Sequence, residues 1–340
     1  MKKKAVFTIV AGSVTALVLT AVLVVGLSND GFGISSARKD AESVGTHLTS
    51  SGGDTYQYTW DPSEDDTTGL SIHWSDGMVD VKVGSGNLIK ITEQADKSGL
   101  SEQERLQLNY SGGVLKIDWG EKKLGFFDFS FFDKHRKDLT VELPQSFANE
   151  MSVLSVSNTS GDVTIGGCTA EEFSFSSTSG DLKLSSLRGT SLAANTTSGA
   201  ISLSNAALDG DVSVNTVSGG MTLSRVTAQT ARVETVSGDA QYEGSAQEFH
   251  GDSVSAGVTA SLSNCPKTLE MNAVSGRLTL KIPENNGFYA DYSSVSGSFH
   301  SDFPVTGGLS KSGKALYGDG KCNFTFSTTS GDIRIEELKD

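Results

Sequence analysis

The chain has 340 residues and combines 27 basic with 41 acidic residues, for a net charge of −14 at pH 7. That length is enough to bury a sizeable core, and so acidic a surface repels nucleic acid, so we expect no nucleic-acid partner. Its three cysteines, Cys168, Cys265 and Cys322, lack CxxC spacing and indicate neither a disulfide framework nor a zinc site.

The N-terminus predicts a membrane anchor. Residues 1–4 contain three lysines and are expected to form a short cytoplasmic tail. Residues 5–27 contain no charged residue, and this run is long enough to form a transmembrane helix. The lysines place the rest outside the cell, so we expect a single-pass cell-membrane protein with an extracellular C-terminal domain. A secreted protein cleaved near Ala37 is the alternative, but the apolar run exceeds a usual signal sequence.

Residues 28–55 are rich in Ser, Gly and charged residues without apolar periodicity, which predicts a flexible extracellular linker. Beyond it, a Ser-Gly dipeptide recurs with most glycines 19 or 20 residues apart. A period near twenty indicates a solenoid in which each turn, here called a rung, stacks on the next. The repeat glycines are predicted to stand at strand-joining corners: Gly161, Gly180, Gly199, Gly219, Gly238, Gly276, Gly297 and Gly331, with Gly257 as a degenerate copy.

Apolar residues alternate on both sides of each glycine, as Leu154 and Val156 do before Gly161 and Val163 and Ile165 after it. Such alternation predicts strands with one buried face. The fold class is therefore all-β, a single-stranded β-solenoid of about 19–20 residues per turn, preceded by one transmembrane helix. The solenoid is expected over 56–340, with irregular rungs in 56–150, a regular array in 151–300, an insertion in 302–321 and a last rung in 322–335. Gly77 and Gly113 are the predicted corners of the irregular part.

Several segments resemble the bacterial "putative adhesin" family of β-strand repeats, a domain of unknown function: Leu139–Pro144, Val236–Asp239 and Ser327–Ile333. The resemblance covers about residues 71–340. It implies a membrane-anchored or secreted β-solenoid of the cell envelope, sometimes associated with envelope-stress sensing, and it brings no catalytic residues.

No catalytic, cofactor-binding or metal site is predicted. The aspartates after the corner glycines, such as Asp162, Asp181 and Asp239, do not recur in every rung, so we expect them to accept backbone hydrogen bonds rather than hold calcium. Counted in chain order, Cys265 lies about five rungs from Cys168 and three from Cys322, which predicts that no disulfide can form.

Two departures from the repeat are candidate interaction sites. The first is a phenylalanine cluster with basic flanks, which either docks on a membrane or partner or caps the first rung. Its members are Phe126, Phe127, Phe129, Phe131 and Phe132. The second is the insertion of 302–321, which is either a binding loop or a mobile excursion.

For function, we expect a non-catalytic cell-envelope surface protein, an interaction or scaffold module that modulates an envelope-stress or signalling complex. Its expected partners are the membrane, through the N-terminal helix, and a protein or cell-wall component. The alternative is a cell-wall polysaccharide binder or carbohydrate-active enzyme, which would need acidic and aromatic side chains of several rungs to converge.

Overall fold

The computed structural model describes residues 48–63, 66–120, 135–307 and 310–339. Almost all regular structure in these ranges is strand. The N-terminal part comprises β1 (Leu48–Gly52), β2 (Thr55–Trp60), β3 (Gly69–Asp76), β4 (Val79–Gly84), β5 (Ile89–Ala95), β6 (Gln107–Ser111), β7 (Val114–Asp118), β8 (Lys137–Pro144) and the short helix α1 (Gln145–Ala148).

The remaining strands form the repetitive part. The central ones are β9 (Met151–Ser160), β10 (Val163–Gly166), β11 (Thr169–Ser179), β12 (Leu182–Ser198), β13 (Ile201–Leu208), β14 (Asp211–Ser218), β15 (Met221–Ser237), β16 (Ala240–Ser253), β17 (Val258–Leu262), β18 (Thr268–Ser275) and β19 (Leu278–Ile282). The C-terminal ones are β20 (Gly287–Ser296), β21 (Phe299–Ser301), β22 (Thr306–Gly307), β23 (Ser312–Gly318), β24 (Cys322–Ser330) and β25 (Ile333–Glu337).

Each rung consists of a strand before the corner, which lies on what we call the first face, and a strand after it on the second face. Equivalent strands of neighbouring rungs pair in parallel, as β14 does with both β12 and β15. The inward side chains of both faces form one apolar core, in which Leu154, Phe175, Val214 and Leu280 are almost completely buried. The alternation in the sequence therefore corresponds to a two-faced β-solenoid.

The rungs do not stack in chain order at either end. On the first face the order is β7, β3, β9, and at the other end it is β18, β24, β20. The second face repeats this arrangement, with β8, β4, β10 and with β19, β25, β21. At the N-terminal end the chain forms the second rung before the outermost one, and at the C-terminal end it leaves one position open, forms the outermost rung and returns to fill that position. We call this the interleaved order.

The corner glycines lie in one column that follows the interleaved order. A Cβ atom on Gly161 would overlap the carbonyl oxygen of Gly77, and one on Gly180 would overlap that of Gly161. Most corner N–H groups also donate to the next rung, for example from Gly161 N to Ser179 O at 2.9 Å. Side chains are therefore excluded by the close approach of two hydrogen-bonded backbones. The column continues through Gly199, Gly219, Gly238, Ala256, Gly276, Gly331 and Gly297.

Position 256 corrects the alignment made from the sequence, in which Gly257 was the degenerate copy. The carbonyl oxygen that lies against Gly276 belongs to Ala256, and the Oγ of Ser253 donates to it at 2.8 Å. Thr235 makes the equivalent bond to the carbonyl of Gly238 at 3.1 Å. A buried hydroxyl three residues before the corner thus marks the true corner position.

The aspartates after the corners bind backbone, as expected from the sequence. Oδ1 of Asp162 accepts the N–H of Asp181 at 3.1 Å, and Oδ1 of Asp181 accepts the N–H of Ala200 at 2.9 Å. Asp239 accepts the N–H of Gly257 at 3.0 Å in the same way. Each carboxylate satisfies a donor that points out of the corner, which links adjacent rungs outside the sheet.

Gly113 is not a corner, so the prediction for it is wrong. It follows Gly112 in the turn of an antiparallel hairpin between β6 and β7, and both glycines have positive φ values of 61° and 79°. A two-residue hairpin with two positive φ angles favours such a Gly-Gly pair. Strand β6 thereby covers the outer edge of β7 on the first face.

The ends of the predicted linker and of the insertion also differ from expectation. Strand β1 and the start of β2 lie within 28–55, and they form an antiparallel hairpin that continues through β5 to β8 on the second face. The insertion of 302–321 contains β22 and β23, and β23 pairs antiparallel with β20 from Ser312 to Gly318. The paired part of the insertion covers the outer edge of β20, where open backbone groups need partners.

Candidate functional site

One column of outward-facing side chains on the first face contains amides and carboxylates, whereas the other outward positions of this face are rich in hydroxyl groups. Five residues occupy the position four before the corner in successive rungs, in register with one another. We call this column the amide–carboxylate ladder; its members are Asn195, Asn215, Glu234, Asp252 and Asn272. All five are half-buried, so the ladder lies in the surface layer rather than above it.

Hydrogen bonds run along the ladder at both of its ends. Nδ2 of Asn215 donates to Oδ1 of Asn195 at 2.9 Å, and Nδ2 of Asn272 donates to Oδ1 of Asp252 at 2.9 Å. Oδ1 of Asn215 is buried and has no hydrogen-bond partner among the described residues. This oxygen lies beside Glu234 of the neighbouring rung, which is in register with Asn215.

Glu234 and Asp252 lie opposite each other on neighbouring rungs, and both bind protons more readily than a solvated carboxylate does. Burial raises the pKa of Glu234, and the negative charge of Asp252 raises it further. Burial also raises the pKa of Asp252, against the hydrogen bond from Asn272, which lowers it. Two like charges one rung apart are costly, which favours the protonated form of each.

A second column lies beside the ladder, two residues earlier in each strand. It contains Arg232, His250 and Glu270, in register across three rungs. Nδ1 of His250 lies 3.9 Å from Oε2 of Glu270, and the charge of Arg232 lowers the pKa of both ladder carboxylates. The ladder and this second column together present hydrogen-bond donors, hydrogen-bond acceptors and charged groups of both signs to a ligand.

The aromatic residues of these rungs do not take part. Tyr242 and Phe249 are 1% and 0% exposed and pack edge-to-face in the core with ring centroids 5.4 Å apart. A sugar-binding face usually combines hydrogen bonds with a stacked aromatic ring, and these rings are turned inward. Acidic groups therefore converge on this face without aromatic ones.

A groove of about 440 Å³ lies on the second face. Two of the three cations that line it are paired with carboxylates: Nζ of Lys281 lies 3.5 Å from Oε2 of Glu336, and Arg334 lies within 4.0 Å of Asp332 and Glu336. Charges compensated in this way leave little net field for an ionic ligand. The ladder is the stronger candidate.

The sequence did not reveal the ladder, although a signal was present. Aligning the rungs on their corners places a long polar residue at the same offset in five consecutive rungs, where earlier rungs have Ser157 and Ser176. The predicted phenylalanine cluster, Phe126 to Phe132, lies outside the described residues, as do residues 5–27.

Within the described ranges, no three His, Cys, Asp or Glu side chains are grouped to hold a metal ion. In the same ranges, no helix is long and apolar enough to cross a bilayer.

A family model described as Toastrack DUF4097 matches residues 67–336, the range that forms the rungs. Among solved structures, the chain is similar to a "putative adhesin" from Bacteroides fragilis, at 11% identity and a TM-score of 0.40, over 84% of this chain and 97% of that one. It is also similar to a "putative cell adhesion protein" from Clostridium sporogenes, at 10% identity and a TM-score of 0.24, over 84% of this chain and 100% of that one. No curated protein matches it.

Proposed function

Since the chain belongs to the Toastrack DUF4097 family, we propose that it is a non-catalytic interaction module of the cell envelope. The observation that carries the proposal is the amide–carboxylate ladder. Its side chains repeat at the rung spacing of about 4.8 Å, so they match a ligand that extends along the stack. Half-buried groups of this kind lose little conformational entropy on binding, because the neighbouring rungs already restrain them.

The module is held outside the cell by residues 5–27, with Lys2, Lys3 and Lys4 on the cytoplasmic side. There it contacts a protein or cell-wall partner and influences an envelope-stress or signalling complex. Protease treatment of intact cells tests this placement: degradation of the rungs is expected, with residues 5–27 retained in the membrane. Cleavage near Ala37 would instead release the rungs into the medium.

Site-specific crosslinking in intact cells tests the role of the ladder. A photoreactive residue at Asn215 is expected to capture a partner. The matched control is Thr222, an exposed residue of the same rung on the second face. Equal capture at the two positions, or capture at Thr222 alone, would contradict the proposal.

The alternative function, processing of cell-wall polysaccharide, is favoured by one observation: Glu234 and Asp252 are neighbouring carboxylates with raised pKa values. A pair of neighbouring carboxylates is the arrangement that glycoside hydrolysis uses. Incubating the protein with wall fragments separates the two functions. If the native chain releases soluble fragments and a Glu234→Gln, Asp252→Asn double variant does not, the protein is an enzyme and the proposal of a non-catalytic interaction module is wrong.

A further inference from the structure

Two of the three cysteines meet across the interleaved end of the stack. The Sγ atoms of Cys265 and Cys322 lie 3.0 Å apart, although 57 positions separate the residues in the sequence. Counting rungs in chain order predicted that they were out of reach, and that prediction is wrong. The error has a physical cause: β24 returns to lie directly beside β18, so Cys322 faces the segment that leads into β18.

The backbone around the two thiols fixes their separation. Cys265 lies just before β18 and Cys322 is the first residue of β24. The N–H of Asn323 donates to the carbonyl of Lys267 at 2.9 Å, and Thr268 is in register with Asn323. Both cysteines are half-buried, so a small reagent can reach them while the paired strands hold them together. The two sulfurs, 3.0 Å apart, need to approach by only about 1 Å to reach the length of an S–S bond.

We propose that Cys265 and Cys322 form a disulfide that fastens the returning rung of β24 and β25 to the rung of β18 and β19. The reaction needs an oxidant, here a disulfide donor. The proposal rests on the proposed location outside the cell only because that location supplies such a donor. One cysteine thiolate attacks the donor disulfide and forms a mixed disulfide, releasing the first donor thiolate. The second cysteine thiolate then attacks the sulfur of the first cysteine in the mixed disulfide, which forms the Cys265–Cys322 bond and releases the second donor thiolate. Two thiols are oxidised, one donor disulfide is reduced to two thiols, and the two protons end on the donor.

The bond would close a loop that contains the rung of β18 and β19 and the outermost rung of β20 and β21. Cross-linking a loop restricts the unfolded chain, so the effect should be concentrated at this end of the stack. Cys168 provides an internal control in the same chain. It is 1% exposed, and its Sγ donates to the carbonyl of Gly166.

The experiment uses the purified full-length chain in detergent, first reduced and then exposed to oxidised glutathione. The protein is denatured, its remaining thiols are alkylated, and its intact mass is measured. We expect two of the three thiols to escape alkylation, with a loss of two hydrogen masses and no bound glutathione. Peptide mapping should join the peptides that contain Cys265 and Cys322. Oxidation should also raise the melting midpoint by about 5 °C or more.

Three variants make the result decisive. Cys168→Ser should oxidise as the native chain does, whereas Cys265→Ser and Cys322→Ser should keep a free or glutathione-bound thiol. Circular dichroism checks that each variant is folded. Three alkylated thiols in the oxidised native chain, a lasting glutathione adduct or a disulfide between two chains would overturn the proposal. Because oxidation is carried out in vitro, a failure here is distinct from a failure of the proposed cell-surface location, which protease treatment reports.

Discussion

Nζ of Lys137 lies 2.9 Å from Oε1 of Glu93, and the two side chains are only 2% and 0% exposed. The pair joins the start of β8 to β5 beneath the N-terminal end of the stack. Both carboxylate oxygens of Glu93 also accept the N–H of Leu106, at 3.0 and 3.1 Å, and Lys137 donates to the carbonyl of Glu104 at 2.7 Å. Lys137 further lies 3.9 Å from the ring centroid of Trp119. This fully buried ion pair is thus the connection between three separate segments.

Replacing one member of this pair should destabilise the protein more than replacing both. Lys137→Met leaves the carboxylate of Glu93 buried without its counter-ion, which should lower the free energy of unfolding by about 3–5 kcal/mol. Glu93→Leu combined with Lys137→Met removes both charges and should recover a large part of the loss. Urea denaturation followed by tryptophan fluorescence measures the difference, and a double variant less stable than Lys137→Met would contradict this account.

The corner column predicts a sharp contrast between two adjacent glycines. A Cβ atom on Gly219 would overlap the carbonyl of Gly199, and Gly219 has a φ of 148°, whereas a Cβ on Gly220 would have no neighbour closer than 3.7 Å. Gly219→Ala should therefore lower the free energy of unfolding by about 2 kcal/mol or more, through strain in the corner. Gly220→Ala is the matched control and should change it by about 0.5 kcal/mol or less. Equal effects of the two substitutions would show that the corners tolerate side chains.

The ladder predicts a stability difference that depends on pH. Because the folded protein raises the pKa of Glu234, the ionised carboxylate costs stability above that pKa, and the cost disappears as pH falls below the unfolded value of about 4.5. Glu234→Gln should therefore be more stable than the native chain at pH 7–8, with an advantage that shrinks towards pH 4. Melting curves across this range measure it. An advantage that grows as pH falls would reverse the assigned sign.

The interleaved order predicts that removing the last rung damages more than the residues removed. A chain that ends at Lys321 lacks β24 and β25, so β18 and β20 lose the strand that lies between them. Hydrogen exchange should show loss of amide protection across residues 287–296, while residues 151–237 keep theirs. Unchanged protection of β20 would mean that it can pair directly with β18 and that the order is not fixed by β24.

The sequence predicted how a rung is built but not which rungs are neighbours. The apolar alternation around Gly161 or Gly219 decides which side chains face the core, and the structure places these residues as that pattern indicates. The same alternation is compatible with any neighbour, because a parallel rung offers the same backbone partners wherever it stacks. The return of β24, and with it the approach of Cys322 to Cys265, therefore left no local mark in the sequence.

At two further places the structure differs from the prediction, because the same sequence pattern is compatible with more than one structure. The apolar residues flanking Gly113 alternate in a hairpin as they would around a corner, and only the preceding Gly112 distinguishes the two. The buried pair of Glu93 and Lys137 had no signal at all, since a charged residue in a strand is ordinarily an exposed one. The amide–carboxylate ladder was partly predictable, because its members share one offset from the corner in the aligned rungs.

The order of the rungs also decides where this molecule can lengthen. At each end of the stack the chain has already turned back, and an antiparallel strand covers the first-face strand of the outermost rung, β6 on β7 and β23 on β20. A repeat added after Glu337 could not pair with β25, because β25 already lies between β19 and β21. A repeat duplicated between Gly161 and Gly238 would keep its neighbours in chain order and leave both closures intact. Repeats are therefore expected to be gained or lost in the interior of the stack, while the interleaved rungs at its two ends stay unchanged.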